Sequence, residues 1–292
     1  MCRFLAYLGK PIFADELLMK PKNSLMKQSH HAQESDMTVN GDGFGIGWYN
    51  HKRRKEPALF RSIRPAWNDE NLSYNASMIK TNCLLAHIRA ATQGGVSIQN
   101  SHPFQYKEFL MMQNGGILNF PKIKRTLINR LDEEIFQWIE GQTDTQYIFA
   151  LFATIVGELK KELNIEGQAL NFDQLAACVS QTFAEIEAMK ILAHIESPSL
   201  YNLVLTNGKS LIATRYSTQP DKETRSLHIA ANAECYTSEE GYLSFRSADP
   251  ANHGVLIASE VLSDNKAFWQ DVPENHLITV GEDLAVSIRP IT

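Results

Sequence analysis

Met1-Cys2-Arg3-Phe4-Leu5-Ala6-Tyr7-Leu8-Gly9 opens the chain, and the reading of this stretch decides the fold. Arg3–Leu8 has the texture of a short strand, with Cys2 just ahead of it. Cells commonly remove an initiator Met when the next side chain is small, and Cys is small enough. Removal would leave a thiol and a free α-amino group on one residue. A terminal amine titrates near about 8 and a free thiol near about 8.5, so the pair sits close to working pH without heavy tuning. Activation of a nucleophile by an N-terminal amine is an established arrangement. Taken alone, Cys2 also reads as an ordinary reduced thiol at the start of a strand, so its partners must decide.

The composition narrows the field. The 292 residues are enough to bury a sizeable core. Twenty-eight Lys and Arg against 33 Asp and Glu give a net charge of −5 with mixed signs, and no general signature of nucleic-acid or membrane binding. The basic run His51-Lys52-Arg53-Arg54-Lys55 lies between strand-like Phe44–Tyr49 and Ala58–Arg61 and reads as a solvated hairpin tip. Cys2, Cys83, Cys178 and Cys235 are scattered without a C-x-x-C pair, which argues against a zinc ribbon or dithiol motif and suits a reducing compartment. Met1–Phe13 lacks the apolar run of a signal peptide, and no stretch approaches the roughly 18 apolar residues of a membrane span. A cytoplasmic protein, with no membrane or nucleic-acid partner, is expected.

No repeat, low-complexity tract or linker divides the chain, so residues 2–292 are expected to form one domain. Strands are expected at Arg3–Leu8, Phe44–Tyr49, Leu84–Arg89 and Phe109–Gln113, with a short helix at Glu70–Lys80. Thr143-Asp144-Thr145-Gln146 has capping-box spacing ahead of Ile148, Phe152, Ile155 and Leu159, which recur at helical intervals. Asn171-Phe172-Asp173-Gln174 opens a second long helix. Asn207-Gly208 between Leu203–Thr206 and Leu211–Tyr216 is a hairpin signal, and strand candidates continue to Leu284–Ile288. Strands, two helices, then antiparallel strands indicate an α+β protein with helices packed on sheets.

Four clusters could carry chemistry. Gly41-Asp42-Gly43-Phe44-Gly45-Ile46-Gly47-Trp48 does not fit G-x-G-x-x-G and leads into a basic turn, so a dinucleotide loop is excluded. Alternate glycines in a strand mean close approach by a neighbouring sheet or by a ligand. In His87-Ile88-Arg89-Ala90-Ala91-Thr92-Gln93-Gly94, the planar guanidinium of Arg89 can grip a carboxylate while Thr92 adds a hydrogen bond; a solvated strand-end Arg is the plainer alternative. His87 shares the side of Arg89 and reads as structural or catalytic. Gln113-Asn114-Gly115-Gly116 ends a strand in unusual backbone angles. That is a plain turn, or a means of aiming the Asn114 amide and the Gly115 N–H at one oxyanion. Asp144 falls in the first turn of its helix, where the dipole favours a carboxylate whether or not it binds anything. Asn100-Ser101-His102-Pro103-Phe104 is a loop without assignable chemistry on spacing alone.

Met1-Cys2-Arg3, Gly41–Trp48, His87–Gly94, Asn100–Phe104, Asn114-Gly115 and Thr143-Asp144-Thr145 together, in this order, resemble the class II glutamine amidotransferase domain of the N-terminal nucleophile (Ntn) hydrolases. Ala258-Ser259-Glu260 is similar too, though without a physical role readable from sequence. The likeness spans most of the chain. Its opening nine residues and the Asn23–Asn40 segment are most similar to a stand-alone branch that includes the γ-glutamyl hydrolases of ergothioneine biosynthesis and components of glutathione breakdown.

The resemblance implies a four-layer αββα sandwich of mainly antiparallel sheets. It implies Cys2 as nucleophile, Asn114 and Gly115 as the oxyanion hole, Arg89 and Thr92 at a glutamyl α-carboxylate and Asp144 at its α-ammonium. His87, His102 and Gly43 are candidates for the pocket wall. Gln146 departs from the Glu that many members carry, which puts a second contact to the ammonium in doubt. The chemistry implied is cleavage of a γ-glutamyl amide through a Cys2 thioester, with no metal or organic cofactor. Two alternatives stand beside hydrolysis: a glutaminase subunit supplying ammonia to a separate synthase partner, and an inactive protein that binds a glutamyl ligand. No separate synthase domain is expected within the chain.

Overall fold

The computed structural model describes residues 2–34, 38–219, 224–238, 242–247, 253–263 and 265–291. Met1, whose removal the sequence reading requires, lies outside them, as do residues 35–37 of the Asn23–Asn40 segment. The strands run β1 (Arg3–Phe13), β2 (Phe44–Trp48), β3 (Ala58–Ser62), β4 (Lys80–Ile88), β5 (Phe104–Tyr106), β6 (Phe109–Ile117), β7 (Ser199–Thr206) and β8 (Leu211–Ser217). They continue with β9 (His228–Thr237), β10 (Leu243–Ser247), β11 (Gly254–Ala258), β12 (Gln270–Asp271), β13 (His276–Val280) and β14 (Val286–Pro290). The helices are α1 (Ala14–Leu18), α2 (Leu25–His30), α3 (Glu70–Met78), α4 (Phe120–Arg130), α5 (Glu133–Trp138), α6 (Asp144–Glu162) and α7 (Phe172–Leu192).

Two antiparallel sheets result. The first runs β10-β9-β11-β1-β4-β2-β3, with β12 beside β9; the second runs β14-β13-β8-β7-β6-β5. β1 therefore sits between β4, where Arg3 pairs with Ile88, and β11, where Leu5 pairs with Ala258.

Period-two alternation sorts the side chains into layers. Phe4, Ala6, Leu8, Cys83 and Leu85 of the first sheet meet Leu110, Met112, Val204 and Ala213 of the second, filling the space between sheets. Leu5, Tyr7, Ile46, Leu84 and Ala86 face outward onto Leu17, Leu25 and Leu72 of α1–α3. Met111, Leu203 and Leu205 face outward from the second sheet onto Ile148, Phe152, Ile155, Val179 and Phe183 of α6 and α7. Helices, sheet, sheet, helices is the αββα order expected.

The alternate glycines serve the sheet interface. Gly45 pairs with the inward-facing His87, and a Cβ on Gly45 would collide with the His102 carbonyl oxygen. A Cβ on Gly47 would stand 2.7 Å from Leu110 Cδ1. The expected hairpin at Asn207-Gly208 forms with Gly208 at φ +83, and Asn207 Oδ1 accepts from the N–H groups of Lys209 and Ser210.

Two local expectations need correction. The capping box at Thr143–Gln146 does not form: the Thr143 side chain makes no cap bond, and Gln146 Oε1 accepts instead from Gly141 N–H at 2.6 Å. At Asn171–Gln174 the full reciprocal box is present. The second correction concerns number: seven α-helices occur among the described residues, where sequence indicated three. Among those residues no helix is long and apolar enough to cross a membrane.

Candidate active site

Strand alternation brings the chemistry to one end of the intersheet layer. Cys2 precedes Arg3 and has the same parity as the inward-facing Phe4 and Ala6; Asn114 has that of Leu110 and Met112 on the facing sheet. The two meet at a cavity of about 260 Å³ lined by Cys2, Ala90, Thr92, Gln93, Asn114, Gly115, Gly116, Leu118, Leu200 and Arg225.

The Cys2 thiol is half-buried, and its Sγ lies 3.4 Å from both the amide nitrogen and the carbonyl oxygen of Ala90. Burial raises the thiol's pKa, while the hydrogen bond with Ala90 and the charge of Arg89 oppose that rise. Asn114 is 3% exposed, and its Nδ2 has no hydrogen-bond partner. A buried amide donor left unpaired is uncommon and invites an acceptor. Gly115 is required by packing, because a Cβ there would collide with the Leu200 carbonyl oxygen.

The turn after β4 is tied down from several sides. Asp42 accepts from Ala91 N–H at 2.8 Å, Arg89 N–H donates to Gly43 O at 2.8 Å, and Asn100 Nδ2 donates to Gly95 O at 2.8 Å. Arg89 is buried and does not line the cavity. Its Nη1 donates to Gly95 O at 3.0 Å and its Nη2 to Gln93 O at 2.9 Å, so the guanidinium braces the loop that presents Thr92 and Gln93. With five N–H donors, the group retains at least two beyond these bonds.

Asp144, at the start of α6, accepts from Ile117 N–H at 2.7 Å and from Thr145 N–H at 2.8 Å. Its carboxylate sits against the cavity wall: a Cβ on Gly116 would stand 2.9 Å from Asp144 Oδ2. Burial pushes this carboxyl up to about 6, against the lowering effect of its N–H partners.

His87, His102 and Gly43 do not line this cavity. His87 Nε2 lies 3.2 Å from Gln113 O, bridging the two sheets, and its ring is 4.3 Å from that of His102. Burial pushes His87 down to about 3 and His102 well below its ordinary value, so both rings are neutral at neutral pH. Gly43, at φ +114, is packed against Ser62 O. Gln146 is turned into the Gly141 loop rather than toward the cavity. Among the described residues, no three His, Cys, Asp or Glu side chains converge as metal ligands.

Ser259 and Glu260, without a role in the sequence, hold the strand that follows Cys2. Ser259 Oγ accepts from Phe4 N–H at 3.1 Å, and Ser259 N–H donates to Phe4 O at 3.1 Å. Glu260 is fully buried and forms an ion pair with Arg3 Nε at 2.8 Å. It also accepts from the N–H groups of Gln33 and Glu34, each at 3.0 Å. Gln93, Leu200 and Arg225 were likewise missed; only tertiary pairing brings them to Cys2.

With this geometry in view, comparison with known proteins is specific. The family model for class II glutamine amidotransferases matches residues 22–288. The probable glutamine amidotransferase DUG3 of Saccharomyces cerevisiae is 34% identical over 303 residues, covering 100% of this chain and 84% of the yeast protein. The γ-glutamyl-hercynylcysteine sulfoxide hydrolase of Mycolicibacterium smegmatis is 24% identical, with 100% of both chains covered. Among solved structures, a glutamine aminotransferase class-II domain protein from Silicibacter pomeroyi superposes with a TM-score of 0.64 at 21% identity, covering 100% of both chains. Glutamine phosphoribosylpyrophosphate amidotransferase from B. subtilis gives 0.57 at 12% identity, covering 100% of this chain and 49% of that one. At such identities the structural likeness speaks for the fold alone.

Proposed function

We propose, on the premise that this chain belongs to the class II glutamine amidotransferase family, that it hydrolyses a γ-glutamyl amide bond, in glutamine or a γ-glutamyl conjugate, and releases glutamate. One observation carries the reading: the Cys2 thiol shares a cavity with Gly115 and with an Asn114 amide donor that has no partner of its own.

In this reading the Cys2 sulfur attacks the δ-carbonyl carbon, and its proton passes to the α-amine exposed by loss of Met1. The new S–C bond pushes charge onto the carbonyl oxygen, which takes hydrogen bonds from Asn114 Nδ2 and Gly115 N–H. The C–N bond breaks and the proton leaves with the amine. Water then adds to the thioester carbon, the S–C bond breaks, and the thiol is restored. Thr92 meets the substrate's α-carboxylate, with the Arg89 guanidinium adding positive charge from behind the cavity wall, and Asp144 faces its α-ammonium across Gly116. Holding the amino-acid end makes the attack effectively intramolecular.

The same reading treats residues 2–292 as one catalytic unit, supported by the two sheets that share one intersheet core. A cytoplasmic setting agrees with four cysteines that form no disulfide. The test is glutamate release by purified protein from glutamine and from γ-glutamyl dipeptides, with intact mass recorded. Loss of Met1, turnover by the wild type and none by Cys2→Ala are expected. Full turnover by protein that retains Met1, or by Cys2→Ala, overturns the mechanism. Strong preference for glutamine that rises with an added synthase subunit would favour ammonia supply instead.

A further inference from the structure

A second group of polar side chains lies on the helix side of the second sheet, away from Cys2. Glu187 and Lys190 stand one turn apart on α7, and Lys190 is 2% exposed. Lys190 Nζ donates to Glu187 Oε2 at 2.8 Å and to Ser199 Oγ at 2.7 Å. Ser199 Oγ donates in turn to Glu187 Oε1 at 2.6 Å, and Tyr201 OH donates to the same oxygen at 3.0 Å. One carboxylate thus holds two alternate, fully buried residues at the start of β7.

Leu200, between them, has the opposite parity and lines the Cys2 cavity. It pairs with Gly116, and its carbonyl oxygen is the atom that a Cβ on Gly115 would strike. The same oxygen accepts from Gln113 Nε2 at 3.0 Å. Ser199 pairs with Ile117, whose N–H donates to Asp144. A shift at the start of β7 would therefore move Gly115 and Gly116 with it. Burial alone does not call for such a cluster, since apolar side chains of similar volume often hold a helix to a sheet as well or better. Hydrogen bonds add direction, fixing where Ser199 and Tyr201 stand along the strand. We propose that Glu187 is a positioning residue, which holds β7 so that the Gly115 N–H stays aimed at the substrate's carbonyl oxygen. The inference rests on the γ-glutamyl hydrolase reading and extends its machinery to α7.

The experiment compares wild type, Ser199→Ala/Tyr201→Phe, Tyr201→Phe and Glu187→Gln. Three readouts are taken: kcat and KM for glutamate release, the urea midpoint, and the Gly115 and Gly116 amide signals in protein carrying isotope-labelled glycine. Ser199→Ala/Tyr201→Phe keeps the Glu187–Lys190 ion pair but frees β7. Its kcat should fall roughly 10–100-fold, as for a misplaced catalytic donor, and both glycine signals should move. KM should stay within about threefold, because the loss falls on the transition state. Tyr201→Phe removes a single oxygen, and should move the same signals with a smaller loss of kcat. Glu187→Gln keeps an acceptor for Ser199 and Tyr201 but takes the counter-charge from Lys190. It should lower the urea midpoint most, with kcat within about threefold of wild type. A merely structural cluster would make the rate follow stability across the series, and that order overturns the inference. So do unmoved glycine signals or a wild-type kcat in Ser199→Ala/Tyr201→Phe. No glutamate from wild-type protein overturns the hydrolase reading instead, and the glycine signals still test the hold on β7.

Discussion

The Asn114 amide is buried beside Cys2 with both N–H donors unmatched. An unpaired buried donor costs on the order of 1–3 kcal/mol, a cost that an acceptor arriving with the substrate removes. Asn114→Ala should lower kcat by ~10²–10³ with little change in KM, as expected for a contact made mainly in the transition state. Its melting temperature should hold or rise, because the amide supports nothing in the empty protein. Steady-state glutamate release and thermal unfolding check both halves. A loss confined to KM would put Asn114 in ground-state binding. Cys2, Asn114 and Asp144 were legible as candidates in the sequence because each is a polar or ionisable side chain beside a strand end or a helix start. Arg225 was not, because nothing local distinguishes a lone Arg ahead of a strand; its place at the cavity comes from β9 lying two strands from β1.

At the scale of elements, the position of Cys2 depends on how β1 is held. Arg3 and Glu260 are both fully buried, so removing one leaves the other as an uncompensated charge. Such a change typically costs about 3–5 kcal/mol. Glu260→Ala should lower the urea midpoint accordingly and reduce kcat, since Cys2 is one residue from Arg3. Wild-type stability in that variant would show the pair to be dispensable. Most strands were legible from period-two alternation, and α6 and α7 from long apolar faces. The short α1, α2 and α5, of five or six residues, carry too few turns for a periodic signal. At the head of α6 the spacing misled, because Gln146 found a nearer donor in Gly141 than in the Thr143 backbone.

For the molecule as a whole, Asp144 ties stability to pH. Burial moves its carboxyl from 3.8 to about 6, so between those values the folded state binds more protons than the unfolded chain. Stability from this group is full below pH 4 and falls as pH rises through about 6. The size is about 3 kcal/mol, from roughly two pH units at ~1.4 kcal/mol each. Urea unfolding of wild type minus Asp144→Asn should decline across that interval, and KM should rise below pH 6 as the carboxylate is protonated. A flat or rising difference would sink the assignment.

The pairing of β1 with both β4 and β11 also has a consequence for biosynthesis. One flank of the first strand finds its neighbour after some 80 residues, but the other waits for Gly254–Ala258. At 5–20 residues per second, the ribosome needs roughly 13–50 s to deliver that partner. Throughout that interval β1 carries an open, apolar edge, a template for misassembly. Nascent fragments that stop short of Glu260 should therefore be inert and aggregation-prone, and chaperone capture should concentrate on chains in which Gly254–Ala258 is still unmade.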